Sequence, residues 1–469
     1  MGARAARGGT GRAAAVSRGA MSELADQTAD RDDGLVGILP AEVGGPPALG
    51  FDADASRDRR DAIMTTIVGM VVFGLSAITG PLLARALDTA GRGDYQAIIL
   101  PPTTIGYLLL FGFPVASVYY SNRHSHRSLM MSAWAWAFVA GGVVAIVAWP
   151  LVPRYLHNHD PRTIAWFRAL LVAMIVFIPV STAVELLRTR RTLVAFNVYR
   201  SFPLVLNTVV TIVLFAIGRL TLDTVAAAFF GVYLLWFVVV LTVTNSWPGR
   251  GFERDAFRVQ FQYGARTALG SVSSVLISRL DQFLLVGVVS PSDLGLYAVA
   301  ATAAGASGPA AVGIGLVLFR QVHGEADSAT GAQQLRRSLR VTALVSSFVA
   351  ALVAIASPIV LPLLFGEAFR DAVWPLLVLL PGQVFADLST VVIQKLFADG
   401  RPATVSRAMI LSLVITVVGL AATVGAFGIM AAAFVTSGSY LVLFLYVYVA
   451  DRLGPRHPLR TPALDAVEP

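Results

Sequence analysis

Charged side chains inside long apolar segments are the residues of this sequence whose chemistry most needs an explanation. Arg279 and Asp281 lie within one such segment, and Asp387 lies within another. A charge near the centre of a bilayer costs about 2.5 to 3.5 kcal/mol on insertion scales, so each one needs a partner, a water-filled cavity or a function. Arg85 and Arg266 stand near the ends of their apolar segments. There a guanidinium either grips a phosphate or carboxylate or extends to the lipid headgroups.

Two interpretations of these residues follow. In the structural one, Arg279 or Asp281 forms a buried ion pair between helices, and the arginines at segment ends reach the headgroups. In the functional one, the arginines line a cationic cavity that binds an anion. Two residues apart, Arg279 and Asp281 are about 200° apart around a helix and do not pair readily with each other. The functional interpretation is therefore favoured for this pair, and both stay open for Arg85 and Arg266.

The composition requires elements that can hold such charges within a membrane. Of 469 residues, 56% are hydrophobic and 14% are charged, against about 25% charged residues in an ordinary soluble domain. The chain has no cysteine, which excludes disulfides, thiolate metal sites and cysteine nucleophiles.

Histidines are paired at 124 and 126 and at 157 and 159, without carboxylates at ligand spacing. They are expected to be solvated in loops, and neither a metal nor a cofactor is predicted.

Twelve apolar segments are long enough for a membrane-spanning helix, which takes about 20 residues. They predict an all-α polytopic membrane protein. The segments are 63–87, 96–120, 129–153, 163–184, 197–218, 224–246, 264–289, 294–318, 340–365, 372–394, 405–426 and 428–450.

The termini flank this region as polar tails. Residues 1–61 hold eight arginines and ten acids without a hydrophobic period, and they predict a disordered tail in which translation is expected to begin at Met21. With the N-terminus in the cytoplasm, the inner connections carry 21 basic residues and the outer connections five. This asymmetry predicts a protein of the cell membrane with both termini in the cytoplasm, including the C-terminal tail 451–469.

An internal repeat is indicated by a shift of 202 residues. It lays segment 63–87 onto the seventh segment, Gly93 onto Gly295, and Pro179 onto Pro381. Chance matching of hydrophobic sequences is the alternative explanation. If the repeat is real, residues 62–250 and 251–450 form two parallel six-helix lobes around a central cavity, an arrangement in which transporters place the substrate path.

Other function classes lack their sequence signals. There is no G-x-x-x-x-G-K-[ST] phosphate loop, and Lys395 is the single lysine of the chain, which argues against a nucleotide-driven pump. The longest connection lies inside, so an enzyme with a large outer catalytic loop is not expected. The basic residues follow the membrane instead of forming an aromatic-lined groove, which argues against nucleic-acid binding.

Three stretches resemble one family. Residues 278–300 cover the seventh segment and its exit, residues 83–95 cover the end of the first segment and the following loop, and residues 397–402 follow the tenth segment. They are similar to the corresponding parts of the Wzx-like polysaccharide-biosynthesis flippases, which belong to the multidrug/oligosaccharidyl-lipid/polysaccharide exporter superfamily. The resemblance covers about residues 62–450 and none of the N-terminal tail.

The resemblance implies a transporter, and not an enzyme, that flips a polyprenyl-diphosphate-linked oligosaccharide from the cytoplasmic to the outer leaflet by alternating access. Arg279, Arg85 and Arg266 would then contact the diphosphate, and Asp281 or Asp387 would act in ion coupling or gating. Glycosyltransferases and a glycan polymerase are the expected partners, besides membrane lipids. The alternatives are a cation-coupled multidrug exporter of the same superfamily, a membrane enzyme such as a glycan polymerase or ligase, and a scaffold with a closed cavity.

Overall fold

The computed structural model describes residues 55–190, 193–323 and 328–453, and the regular structure in these ranges is helical throughout. Thirteen α-helices follow one another: α1 Ala55–Leu109, α2 Phe113–Tyr119, α3 His126–Trp136, α4 Gly142–Tyr155, α5 Pro161–Arg190, α6 Leu193–Ala216, α7 Leu222–Val243, α8 Arg254–Val286, α9 Pro291–Ala304, α10 Gly308–His323, α11 Ser328–Phe365, α12 Val373–Ala398 and α13 Pro402–Leu453.

Two of these helices are divided by a break in the backbone. Asp88 interrupts α1 with φ 59° and ψ −177°, and Gly428 interrupts α13 with φ 58°. Within the described ranges, nine helices are long and apolar enough to cross a membrane. The all-α membrane architecture is thereby confirmed, whereas the number of twelve crossings stays a prediction.

The predicted tails are covered only in part. Helix α1 begins at Ala55, so the last residues of the tail assigned to 1–61 are helical. The Met21 start and most of the tail 451–469 lie outside the described residues.

The two halves meet at a close helix crossing that follows the 202-residue shift. After the break at Asp88, α1 resumes at Thr89, and α9 begins 202 positions later at Pro291. A Cβ added to Gly93 would lie 1.7 Å from the Pro291 carbonyl oxygen, and one added to Gly295 would lie 2.1 Å from the Thr89 carbonyl oxygen. The contact is reciprocal, as a two-fold axis between repeats requires. It supports the internal repeat over chance matching.

The hydrophobic clusters show where the lobes join. One cluster contains residues of both halves, such as Ala84, Phe167, Leu285 and Phe365, and it surrounds the crossing. We call this end of the bundle the outer end, because the arginine distribution predicts that it faces outside. Towards the other end, the inner end, one cluster belongs mainly to α3, α5 and α7, and another belongs mainly to α10, α12 and α13. The lobes therefore share a core at the outer end and have separate cores further in.

Helix α8 runs along the boundary between the lobes. Near its start, the amide of Gln260 donates to the Ser117 hydroxyl at 2.6 Å, and an added Cβ on Gly264 would lie 2.1 Å from the Phe111 carbonyl oxygen. Further along, the Ile277 carbonyl faces the Tyr440 hydroxyl of α13 at 3.5 Å. The inner part of α8 thus packs on the first lobe, although the helix follows the predicted boundary between residues 250 and 251.

The Gly93 crossing can be tested by adding one methyl group. In a helix, Gly→Ala ordinarily adds about 0.5 to 1 kcal/mol of stability. Gly93→Ala should instead lower the free energy of unfolding by about 1 to 3 kcal/mol, because the methyl group meets the Pro291 carbonyl. Gly231→Ala in α7 is the control, since an added Cβ there meets no atom within 4 Å. Equal thermal midpoints of Gly93→Ala and Gly231→Ala in detergent would contradict the crossing.

Candidate substrate and ion site

Arg279 stands on α8 where the helix faces the first lobe. Its side chain is partly buried, and its guanidinium carbon lies 5.9 Å from the centroid of the Tyr107 ring on α1. A cation over an aromatic face at this distance is attracted by the ring quadrupole. The structure therefore places Arg279 of α8 against α1 of the first lobe.

Asp281 lies two residues further on and belongs to the second lobe. Its Oδ2 accepts a hydrogen bond from the Tyr297 hydroxyl at 2.6 Å and a longer one from Thr436 at 3.4 Å, and its Oδ1 accepts from the Gln282 backbone N–H at 2.7 Å. The carboxylate is buried, and these partners are neutral donors. In the described part of the chain, the Asp281 carboxylate is thus held by hydrogen bonds from neutral groups.

Asp387 is held in the same manner on α12. Its Oδ2 accepts from the Ser346 hydroxyl of α11 at 2.6 Å, and its Oδ1 accepts from the Gln383 amide one turn earlier at 2.8 Å. The second lobe therefore carries two buried carboxylates, each of which accepts hydrogen bonds from neutral donors.

Arg85 lies at the outer end and makes a contact between the lobes. Its Nε donates to the Leu364 carbonyl at 2.8 Å, and its Nη2 donates to the Leu363 carbonyl. These carbonyls are in the last turn of α11, where backbone acceptors have no partner within the helix. The exposed Arg85 therefore donates to the end of a helix of the other lobe, a structural contact that differs from the expected extension to the lipid headgroups.

Arg266 is exposed on the inner part of α8. It precedes Arg279 by 13 residues, which corresponds to about 20 Å along a helix at 1.5 Å per residue. The three predicted arginines are consequently distributed over different depths instead of forming one cluster, with Arg85 at the outer end.

Sequence reasoning missed a polar network at the outer end. The buried Arg92 donates to the Gln96 side chain at 3.2 Å, and the Gln96 amide donates to the Gln282 oxygen of the other lobe at 2.6 Å. The expectation that the histidines are solvated is wrong for His159, which is buried and lies 2.6 Å from the Asp94 carboxylate. A useful signal was present, since Arg92 and Asp94 flank the glycine that the repeat singles out.

Comparison with solved structures identifies the fold. The inward closed conformation of the lipid II flippase MurJ superposes with a TM-score of 0.70 at 13% identity, over 83% of this chain and 87% of that chain. An inward-facing multidrug resistance transporter of the MATE family gives 0.66 at 11% identity, over 82% and 97%. An outward-facing MATE transporter gives 0.53 at 12% identity, over 84% and 94%. No curated protein sequence matches this chain.

The fold is thus that of the transporters and flippases of the MOP superfamily, the multidrug/oligosaccharidyl-lipid/polysaccharide exporters. A model of the polysaccharide biosynthesis protein family matches residues 59–307, more than half of the chain. The chain belongs to this family. It is a multi-pass membrane protein, and the flippase resemblance inferred from its sequence is confirmed.

The two interpretations of Arg85 predict different results for Arg85→Gln. If Arg85 closes the end of α11, its loss should lower the free energy of unfolding by about 1 kcal/mol, a modest value because the side chain is exposed. Arg219→Gln, at an exposed position of the outer end, is the matched control. Thermal unfolding in detergent measures both. An unchanged midpoint together with lost transport would instead assign Arg85 to the substrate.

Proposed function

We propose that this protein flips a polyprenyl-diphosphate-linked oligosaccharide from the cytoplasmic to the outer leaflet for cell-surface polysaccharide biosynthesis. The observation that carries the proposal is the position of Arg279 between the two lobes, in a chain of the polysaccharide biosynthesis family. A glycan headgroup does not cross hydrocarbon unaided, because its hydroxyl groups would lose their hydrogen bonds to water. A guanidinium between the lobes offers two parallel hydrogen bonds to a phosphate while the lipid tail stays in the bilayer.

The closure of the outer end suits such a carrier. Lobes that share a core there and have separate cores further in can part on the inner side, where a lipid-linked glycan made in the cytoplasm enters. Rocking of the lobes about the crossing would then expose the headgroup to the outside. Arg266 and Arg85 would meet the diphosphate at the beginning and the end of this path. The orientation, with both termini in the cytoplasm, is part of the proposal.

Asp281 and Asp387 are assigned to ion coupling or gating in the second lobe. Each carboxylate is buried with neutral donors, so binding of a cation or proton there changes the local charge without breaking an existing ion pair. Glycosyltransferases that build the lipid-linked glycan and a polymerase that extends it outside are the proposed partners. The same carboxylates suit the alternative function, cation-coupled drug export, which the MATE-like fold also allows.

Arg279→Gln tests the substrate site. The loss of a charged, two-fold hydrogen bond to phosphate costs about 1.5 to 3 kcal/mol, so transport of a lipid-linked glycan in reconstituted vesicles should fall about ten- to a hundredfold. Arg258→Gln, an exposed position on the same helix, is the matched control and should transport normally. Unchanged transport by a folded Arg279→Gln variant would refute the assignment.

Asp281→Asn tests the coupling carboxylate separately from the substrate arginine. The amide keeps the shape of the site and removes the charge that a cation would neutralise. We expect ion-gradient-driven transport to be lost while binding of the lipid-linked glycan remains. Gradient dependence equal to that of the parent protein would remove Asp281 from coupling. Drug sensitivity of a deletion strain without a defect in surface glycan would favour the exporter alternative.

A further inference from the structure

The loop between α4 and α5 inserts a histidine between the two lobes at the outer end. The side chain of His159 is fully buried, its Nδ1 lies 2.6 Å from Oδ1 of Asp94, and its Nε2 lies 3.2 Å from the Val286 carbonyl oxygen. Asp94 belongs to the first lobe, and Val286 is the last residue of α8. The imidazole therefore joins a carboxylate of one lobe to a helix end at the lobe boundary.

Both ring nitrogens of His159 face acceptors. A neutral imidazole has one N–H donor and one lone pair, whereas the protonated ring donates from both nitrogens. Neither neutral tautomer satisfies both contacts beside an ionised Asp94. If Asp94 carries the proton instead of the ring, the same two contacts are satisfied, and the pair holds the same number of protons. Both contacts are satisfied together only when the pair carries one proton more than a neutral histidine beside a carboxylate.

The end of α8 suits a cation at this place. The backbone N–H of Gly287 donates to the carbonyls of Leu284 and Leu285. The two other terminal carbonyls are contacted by the α4–α5 side: that of Phe283 by the Tyr155 hydroxyl, and that of Val286 by His159. The C-terminus of a helix carries a partial negative charge, which attracts a cation within its last turn.

We propose that His159 and Asp94 form a proton-binding site that fastens the first lobe to the end of α8 and so stabilises the closed outer end. One proton, taken up from the outer medium, completes the contacts to Asp94 and Val286. Separation of the lobes moves Val286 away and returns that proton to water. The use of this proton in transport rests on the flippase proposed above, whereas the proton-dependent closure itself does not.

Other charged and titratable groups lie near His159 on the loop, its flanking helices and α1. Asp94 on α1 is the titratable side chain that contacts the ring, and α8 presents backbone carbonyls to it. On the loop and its flanking helices, Arg154, His157, Asp160 and Arg162 are exposed, whereas Tyr155 and Arg168 are half-buried, and Arg92 on α1 is buried two residues before Asp94. His157 contacts the Arg154 carbonyl at 3.2 Å within its own segment, so it serves as the matched control for His159.

The experiment measures the distance across the outer end as a function of pH. Because the chain has no cysteine, spin labels can be placed at Arg219→Cys and Glu367→Cys, exposed positions at the outer ends of the two lobes. Distances are recorded by pulsed electron paramagnetic resonance in lipid nanodiscs between about pH 5 and pH 8, the range in which histidine titrates. If closure takes up one proton, the ratio of molecules with a closed outer end to molecules with an open one should change by up to about tenfold per pH unit. The closed form should be favoured at low pH.

His159→Gln should abolish the pH dependence, and His157→Gln should keep it. Asp94→Asn replaces the carboxylate with a neutral amide, whose NH2 group can donate to Nδ1 of a neutral ring while Nε2–H donates to the Val286 carbonyl. The pH dependence should therefore be lost here as well, which provides a second variant if His159→Gln does not fold. A parent protein whose distances do not respond to pH, or variants at 159 and 94 that respond like the parent, would overturn the proposal. The measurement uses no substrate, so failure of the flippase assignment would appear in the transport assays alone.

Discussion

The close crossing of α1 and α9 at Gly93 and Gly295 is the constraint on which the rest of the structure depends. At this point each helix lies against the other's backbone, so a side chain of any size would force the lobes apart. The crossing places the break at Asp88 and the start of α9 opposite each other, and the shared hydrophobic cluster grows around it. The contact therefore joins the lobes at the outer end, whereas each lobe has a core of its own further in.

Polar contacts at the outer end are made largely to the ends of helices. Arg85 reaches the last carbonyls of α11, and Tyr155 and His159 reach the last carbonyls of α8. A helix end always has such unpaired acceptors, so a partner lobe that supplies donors stabilises the contact without a matched ion pair. The arginine and the histidine at the outer end thus take part in contacts between the lobes, whereas Arg279 lies deeper in the bundle.

Much of the fold follows from the pattern of hydrophobic segments, and the repeat was visible in the spacing of glycines and prolines. The breaks at Asp88 and Gly428 fall where the sequence separates segments 63–87 and 96–120 and segments 405–426 and 428–450, although the left-handed backbone at Asp88 leaves no periodic signal. The residues of the candidate site also differ in how well the sequence predicts them. Arg279 and Asp281 stand out as charges in apolar sequence, whereas Arg92 and His159 look like loop residues until tertiary contacts bury them.

The shared core at the outer end has a consequence for how the lobes part within a membrane. Acyl chains solvate apolar side chains about as well as other apolar side chains do, so exposing Leu285 or Phe365 to lipid costs little free energy. Acyl chains cannot replace hydrogen bonds to the carbonyls of Val286 or Leu364. In the proposed transport cycle, the resistance to opening is consequently concentrated in a few donor groups, which water that reaches the outer end can replace.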